Sequence, residues 1–70
     1  MNTTTEVFQI TDIEQISVVR SDSGDFYAVH SRNGEKLGER SAFGSGDQGR
    51  INATKAARQW AFGITFDRTR

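Results

Sequence analysis

Seventy residues leave room for one domain, and nine acidic against nine basic side chains give a net charge of zero. Val, Ile, Leu and Phe make up fifteen positions, a thin core, yet one that balanced charge allows to collapse. No cysteine is present, which excludes disulfide staples, thiolate metal sites and a cysteine nucleophile.

No run approaches the roughly 18 apolar residues of a membrane span, and Met1 to Thr5 lack the basic and apolar regions of a signal peptide. The expected location is the cytoplasm. The charge is unevenly spread: residues 1 to 45 carry seven acids and four bases, whereas residues 46 to 70 carry two acids and five bases. Such a dipolar chain suits an anionic partner at its C-terminal end, or association with itself.

In chain order, the Thr-rich residues 1 to 6 read as a frayed tail. Val7, Phe8 and Ile10 open an apolar patch, and Thr11 to Glu14 have the spacing of a capping box, consistent with a short helical turn at 12–15. Strands are expected at 16–20, 25–31 and 35–43. They are separated by the turns Asp22-Ser23-Gly24 and Asn33-Gly34, the second a strong hairpin signal. A two-residue loop pairs Arg32 with Glu35, His30 with Leu37, Ala28 with Glu39 and Tyr27 with Arg40. This register puts Ile16, Val18, Phe26, Ala28, His30 and Leu37 on a core face, and Val19, Tyr27, Val29 and Gly38 on the other. The second face is more apolar than a solvated face requires, so it is a candidate contact surface or the seat of the N-terminal segment.

A helix is predicted over 51–62, with Asn52 as N-cap, Ile51 and Ala56 as a hydrophobic staple, and Gly63-Ile64 as the stop. Ala53, Ala56, Ala57, Trp60 and Ala61 form its apolar stripe, with Trp60 as anchor. Ile64 to Phe66 alternate like an edge strand, and 67–70 form a mobile basic tail. The expected fold is therefore α+β: a three-stranded antiparallel sheet with one C-terminal helix packed on it (β-β-β-α), a single domain over residues 7–66.

Gly44-Ser45-Gly46-Asp47-Gln48-Gly49 matches G-x-G-x-x-G, but a dinucleotide site needs a parallel sheet around it that this chain cannot supply. The stretch reads as a flexible connector, and no cofactor is expected. His30, the only histidine, has no visible partner to orient it for acid-base work or to share a metal, and reads as structural. Serines lie in turns or strands rather than in a nucleophile elbow.

Val18 to Ala61 resembles the C-terminal β-β-β-α portion of double-stranded-RNA-binding domains, in the hairpin Asn33 to Glu39, the Gly44-Ser45-Gly46 before the helix, and an alanine-rich helix with Ala56 and Ala61. The resemblance implies phosphate contacts from the helix start, where the family's lysines are matched here by Ala53, Thr54 and Ala57. The same stretch is similar to the arm-type DNA-binding domains of phage tyrosine recombinases, and Phe26 to Phe43 to small bacterial β-β-β-α modules of unknown function.

Two function classes follow. The first is a small non-enzymatic interaction module that binds a protein surface, or a second copy of itself, as a regulator or inhibitor of the kind phages and other mobile elements encode. Its candidate contacts are Tyr27, Val29 and Phe62. The alternative is a duplex RNA- or DNA-binding protein using Arg50, Lys55, Arg58, Arg68 and Arg70.

Overall fold

A computed structural model describes residues 2–69. Four strands, β1 (Thr3–Gln9), β2 (Glu14–Arg20), β3 (Phe26–Arg32) and β4 (Glu35–Arg40), are followed by one helix, α1 (Gly46–Arg68). The strands form an antiparallel meander in the order β1-β2-β3-β4, and α1 covers one of its faces. The α+β class is as expected, but the sheet has four strands rather than three.

The additional strand is built from residues read as a tail. Thr3 to Glu6 belong to β1, which pairs with β2 from Thr3 opposite Arg20 to Gln9 opposite Gln15, with a bulge around Thr5. An edge strand needs hydrogen-bonding partners on one side only, so a polar Thr-rich sequence suffices. The residues between β1 and β2 form a tight turn, not a helical one. Ile10 and Thr11 donate their amides to the Glu14 carbonyl at 2.8 and 3.1 Å.

The Asn33-Gly34 hairpin forms as predicted, with φ of 54° and 82° at its two central residues, the pair of positive values a type I′ turn requires. Arg32 pairs with Glu35, but the register then slips: Ser31 faces Lys36, and His30 faces Gly38 instead of Leu37. Gly38 faces the helix under the indole, where a Cβ would make an ordinary contact with the Trp60 ring at 3.6 Å, and Leu37 stands out at 54% exposure. Gly38 therefore lies on the helix side, and Leu37 outside the core, the reverse of the expectation.

The predicted core face otherwise holds. Ile16, Val18, Phe26 and Ala28 pack against Ala53, Ala57 and Ala61, with Phe8, Ile10, Phe43, Trp60 and Ile64 at the margin. The N-terminal segment extends the sheet sideways and does not cover its second face. Tyr27 and Val29 lie there half-buried, and Tyr27 accepts a hydrogen bond from Asn2 Nδ2 at 2.9 Å.

The helix is longer than predicted at both ends. Ser45 is its N-cap, and Asn52 lies a turn and a half inside, bonded to Gln48 at 3.1 Å. The glycine run is a packed helix entry rather than a flexible connector. Gly44 and Gly46 have φ of +91° and +68°, and a Cβ on Gly49 would fall 2.5 Å from the Gly44 carbonyl carbon and 3.4 Å from the Phe26 ring. At the other end α1 runs through Gly63, because Ile64 packs on the core and Arg68 finds a partner on β2. Residues 64–66 are thus helical, and of the predicted basic tail 67–70, Asp67 and Arg68 belong to the helix.

The two helix glycines provide a matched test. Alanine normally outranks glycine inside a helix by about 1 kcal/mol. Gly63→Ala meets nothing within 4 Å and should raise the unfolding free energy by about that amount, seen as a higher urea midpoint. Gly49→Ala should lower it despite the same gain in propensity, since the new methyl collides with backbone.

Candidate functional site

The wheel of α1 is unusual in the size of its residues. Gly49, Ala53, Ala57 and Ala61 are buried against the sheet, whereas Ile51, Phe62 and Phe66 are exposed at 49%, 73% and 60%. On a helix of 3.6 residues per turn, residues 51, 55, 58, 59, 62 and 66 fall along the side opposite the buried stripe. The outer face therefore reads Ile51, Lys55, Arg58, Gln59, Phe62, Phe66. The large apolar residues point away from the core, and among the described residues no acid forms an ion pair with Lys55 or Arg58. Beside Phe62 a shallow groove runs between α1 and β1, walled by Val7, Phe8, Arg58, Ala61 and Thr65.

This arrangement separates the predicted contact residues. Phe62 is on the outer side of the helix; Tyr27 and Val29 are on the open face of the sheet, with the core between them. Of the predicted phosphate ligands, Arg50, Lys55 and Arg58 are exposed on α1, and all three line one shallow depression with Ile51 and Thr54. Arg68 is withdrawn from that set. Arg70 lies outside the described residues. Sequence reasoning missed Ile51, assigned to a staple, and Phe66, assigned to a strand. The spacing 51, 55, 58, 62, 66 continued across Gly63 would have found both.

Arg68 is held by the polar cluster of the molecule. Glu14, 1% exposed at the start of β2, accepts two hydrogen bonds from the Arg68 guanidinium at 2.6 and 2.8 Å. His30 Nε2 stands 2.5 Å from Glu14 Oε2, and the His30 ring meets the Trp60 ring edge-on at 5.7 Å. Arg40 stacks on the same indole at 4.2 Å. Hydrogen bonds from Arg68, then from His30, draw the Glu14 carboxyl from its ordinary 4.5 down to about 2, against the opposing effect of burial. The same pairing raises the Arg68 pKa. A carboxylate so strongly held in its charged form is a poor proton acceptor near neutrality, so the cluster works as a lock between the helix end and β2. Among the described residues no group of three or more His, Asp or Glu is placed to hold a metal ion, and no helix is long and apolar enough to cross a membrane.

No protein-family model, no curated protein and no solved structure matches the chain.

The lock makes a pH prediction. Because the Glu14 pKa is lower in the folded chain than in the unfolded one, its contribution to stability is complete above about pH 4.5 and is lost as pH falls towards about 2. Glu14→Gln should lower the melting temperature at neutral pH and flatten the acid limb in that window, as followed by circular dichroism.

Proposed function

We propose that this protein is a small non-enzymatic interaction module, a regulator or inhibitor that docks on protein surface through the outer face of α1. One observation carries the reading: the helix buries glycine and alanine and presents Phe62, Phe66 and Ile51 to solvent. Packing the fold does not require aromatic residues there. Exposed apolar residues set in one stripe and flanked by cations are what a docking surface needs, since large anchors supply most interface energy. The open sheet face is less suited to the role, as Tyr27 and Val29 are half-buried among their neighbours.

The duplex-binding alternative draws on fewer cations than the sequence offered, because Arg68 is spent on Glu14. Among the described residues Arg50, Lys55 and Arg58 remain, sharing one shallow depression with Ile51 and Thr54. Three contacts give only weak, salt-sensitive affinity.

Two variants separate the readings. Phe62→Ser with Phe66→Ser should abolish capture of the protein partner from extracts of the native host, each residue contributing about 2 kcal/mol or more, roughly thirtyfold in affinity. Changing Arg50, Lys55 and Arg58 together to Ala should reduce capture much less. Sub-micromolar binding of labelled RNA or DNA duplexes at about 150 mM salt, lost in that triple variant, would replace this reading with the nucleic-acid one.

A further inference from the structure

The outer-face positions of α1 are spaced symmetrically along the helix, and the symmetry sets cations opposite uncharged side chains. Reversed about a point between Arg58 and Gln59, Ile51 falls on position 66, Lys55 on position 62, and Arg58 on position 59. We propose that this face is a two-fold interface with a second copy of the chain, in which the two α1 helices pack antiparallel. The inference rests on the reading of that face as a docking surface and names its occupant.

In the antiparallel arrangement Ile51 meets the partner's Phe66 at both ends of the contact. Lys55 lies over the partner's Phe62, a cation on an aromatic face. Arg58 meets the partner's Gln59, a neutral amide whose oxygen accepts a hydrogen bond from the guanidinium. Every cation on the face is thereby placed against a ring or an amide. A parallel pair would instead set Lys55 against Lys55 and Arg58 against Arg58. A one-turn slip that brought Ile51 onto the partner's Phe62 would set Lys55 against Arg58. The charge pattern thus disfavours the parallel orientation and that slip, and an antiparallel pair is the closed isologous contact of a two-fold.

The steps 51, 55, 58 and 62 alternate four and three residues, the spacing of helices that pack side by side at a shallow angle. From Ile51 to Phe66 the contact runs about 22 Å. Since the face lies opposite the sheet, the two sheets end up on the outside and obstruct nothing. One helix width over that length is small beside the roughly 800 Å² per partner of a standard interface, so the dimer is weak and concentration-dependent.

The absence of cysteine permits an orientation-specific test on the whole chain. Sedimentation should show a monomer that dimerises as concentration rises towards about 1 mM, the weak regime expected of so small a contact. Ile51→Cys and Phe66→Cys chains, mixed and oxidised, should give a covalent dimer that neither gives alone. Phe62→Ser, which lies outside the core and should leave circular dichroism unchanged, should abolish the dimer. Raising salt from about 50 to about 500 mM should preserve or strengthen it by screening the four gathered cations, whereas salt would release a nucleic acid.

Self-linking by each cysteine variant alone, a monomer at every concentration, or a dimer indifferent to Phe62→Ser would overturn the proposal. A monomer whose capture of a host protein still depends on Phe62 and Phe66 would overturn self-pairing alone. A dimer and a host-protein capture that both ignore these residues would overturn the docking surface as well.

Discussion

The close approach of α1 to the sheet is the constraint on which the remaining features depend. Of the eight buried apolar residues among those described, four are alanines, and three of these lie on the helix side of the interface. Small residues let the helix axis come near enough for Phe26, Ile16 and Val18 to fill the interior from the sheet. Gly49 is the tightest point, where backbone meets backbone and ring. The inner stripe of α1 takes only small side chains, with Trp60 and Ile64 at the margin of the core. Phe62 and Phe66 stand outside by their helical positions, but packing does not call for aromatic residues there, and their use is a question for charge and spacing.

A thin core of this kind is held at its far end by polar contacts. Ile64 covers the margin of the core, and beyond it the helix has no apolar reason to continue. The continuation follows from Glu14. A carboxylate at 1% exposure needs compensation for lost hydration, and the bidentate guanidinium of Arg68 provides it in the geometry that suits a carboxylate best. His30 takes part through the same oxygen that Arg68 Nη2 contacts. Trp60 backs His30 on one side and receives Arg40 on another, so the hairpin, the β1–β2 turn and the helix end are joined in one cluster. Removing a single member strands a charge or exposes a ring, which is why the last turn of the helix belongs to the folded domain.

The sequence revealed most where local chemistry decides. Asn33-Gly34 adopts the predicted turn because its backbone angles are intrinsic to those residues, and Ile16, Val18, Phe26 and Ala28 alternate onto the predicted face. It revealed least where a distant residue decides. Gly63 carries a stop signal, yet contacts made by Ile64 and Arg68 override it. Leu37 looks like a core residue until the slip in register turns its neighbour Gly38 towards Trp60. β1 was illegible because an edge strand needs so little of its sequence, and the glycine run because turn-forming and close-packing glycines look alike without the Phe26 ring in view. Arg68 read as one of five free bases; its partner is 54 positions away. Phe62 alone among the apolar members of the outer stripe reads as a protein contact from the sequence, since Ile51 has the spacing of a staple and Phe66 falls beyond the stop signal at Gly63.

Electrostatics then bears on what the outer face can accept. In the fold the strands carry four acids against four bases, the acid excess lies in the turns at Asp12, Asp22 and Asp25, and α1 carries an excess of base. Arg68 neutralises part of that asymmetry internally, but Lys55 and Arg58 stand on the side of the helix farthest from the acids of the sheet. A cation so placed finds its stabilisation in solvent, in an anion, or on an aromatic ring. The chain offers two rings in the same stripe, and helical spacing prevents Lys55 from lying flat on Phe62 of its own helix, since seven residues separate them by about 10 Å along the axis. Arg58 has the Phe62 ring four residues on along its own helix, whereas Lys55 gains a ring when an antiparallel neighbour brings the partner's Phe62 to it, at no cost in backbone rearrangement.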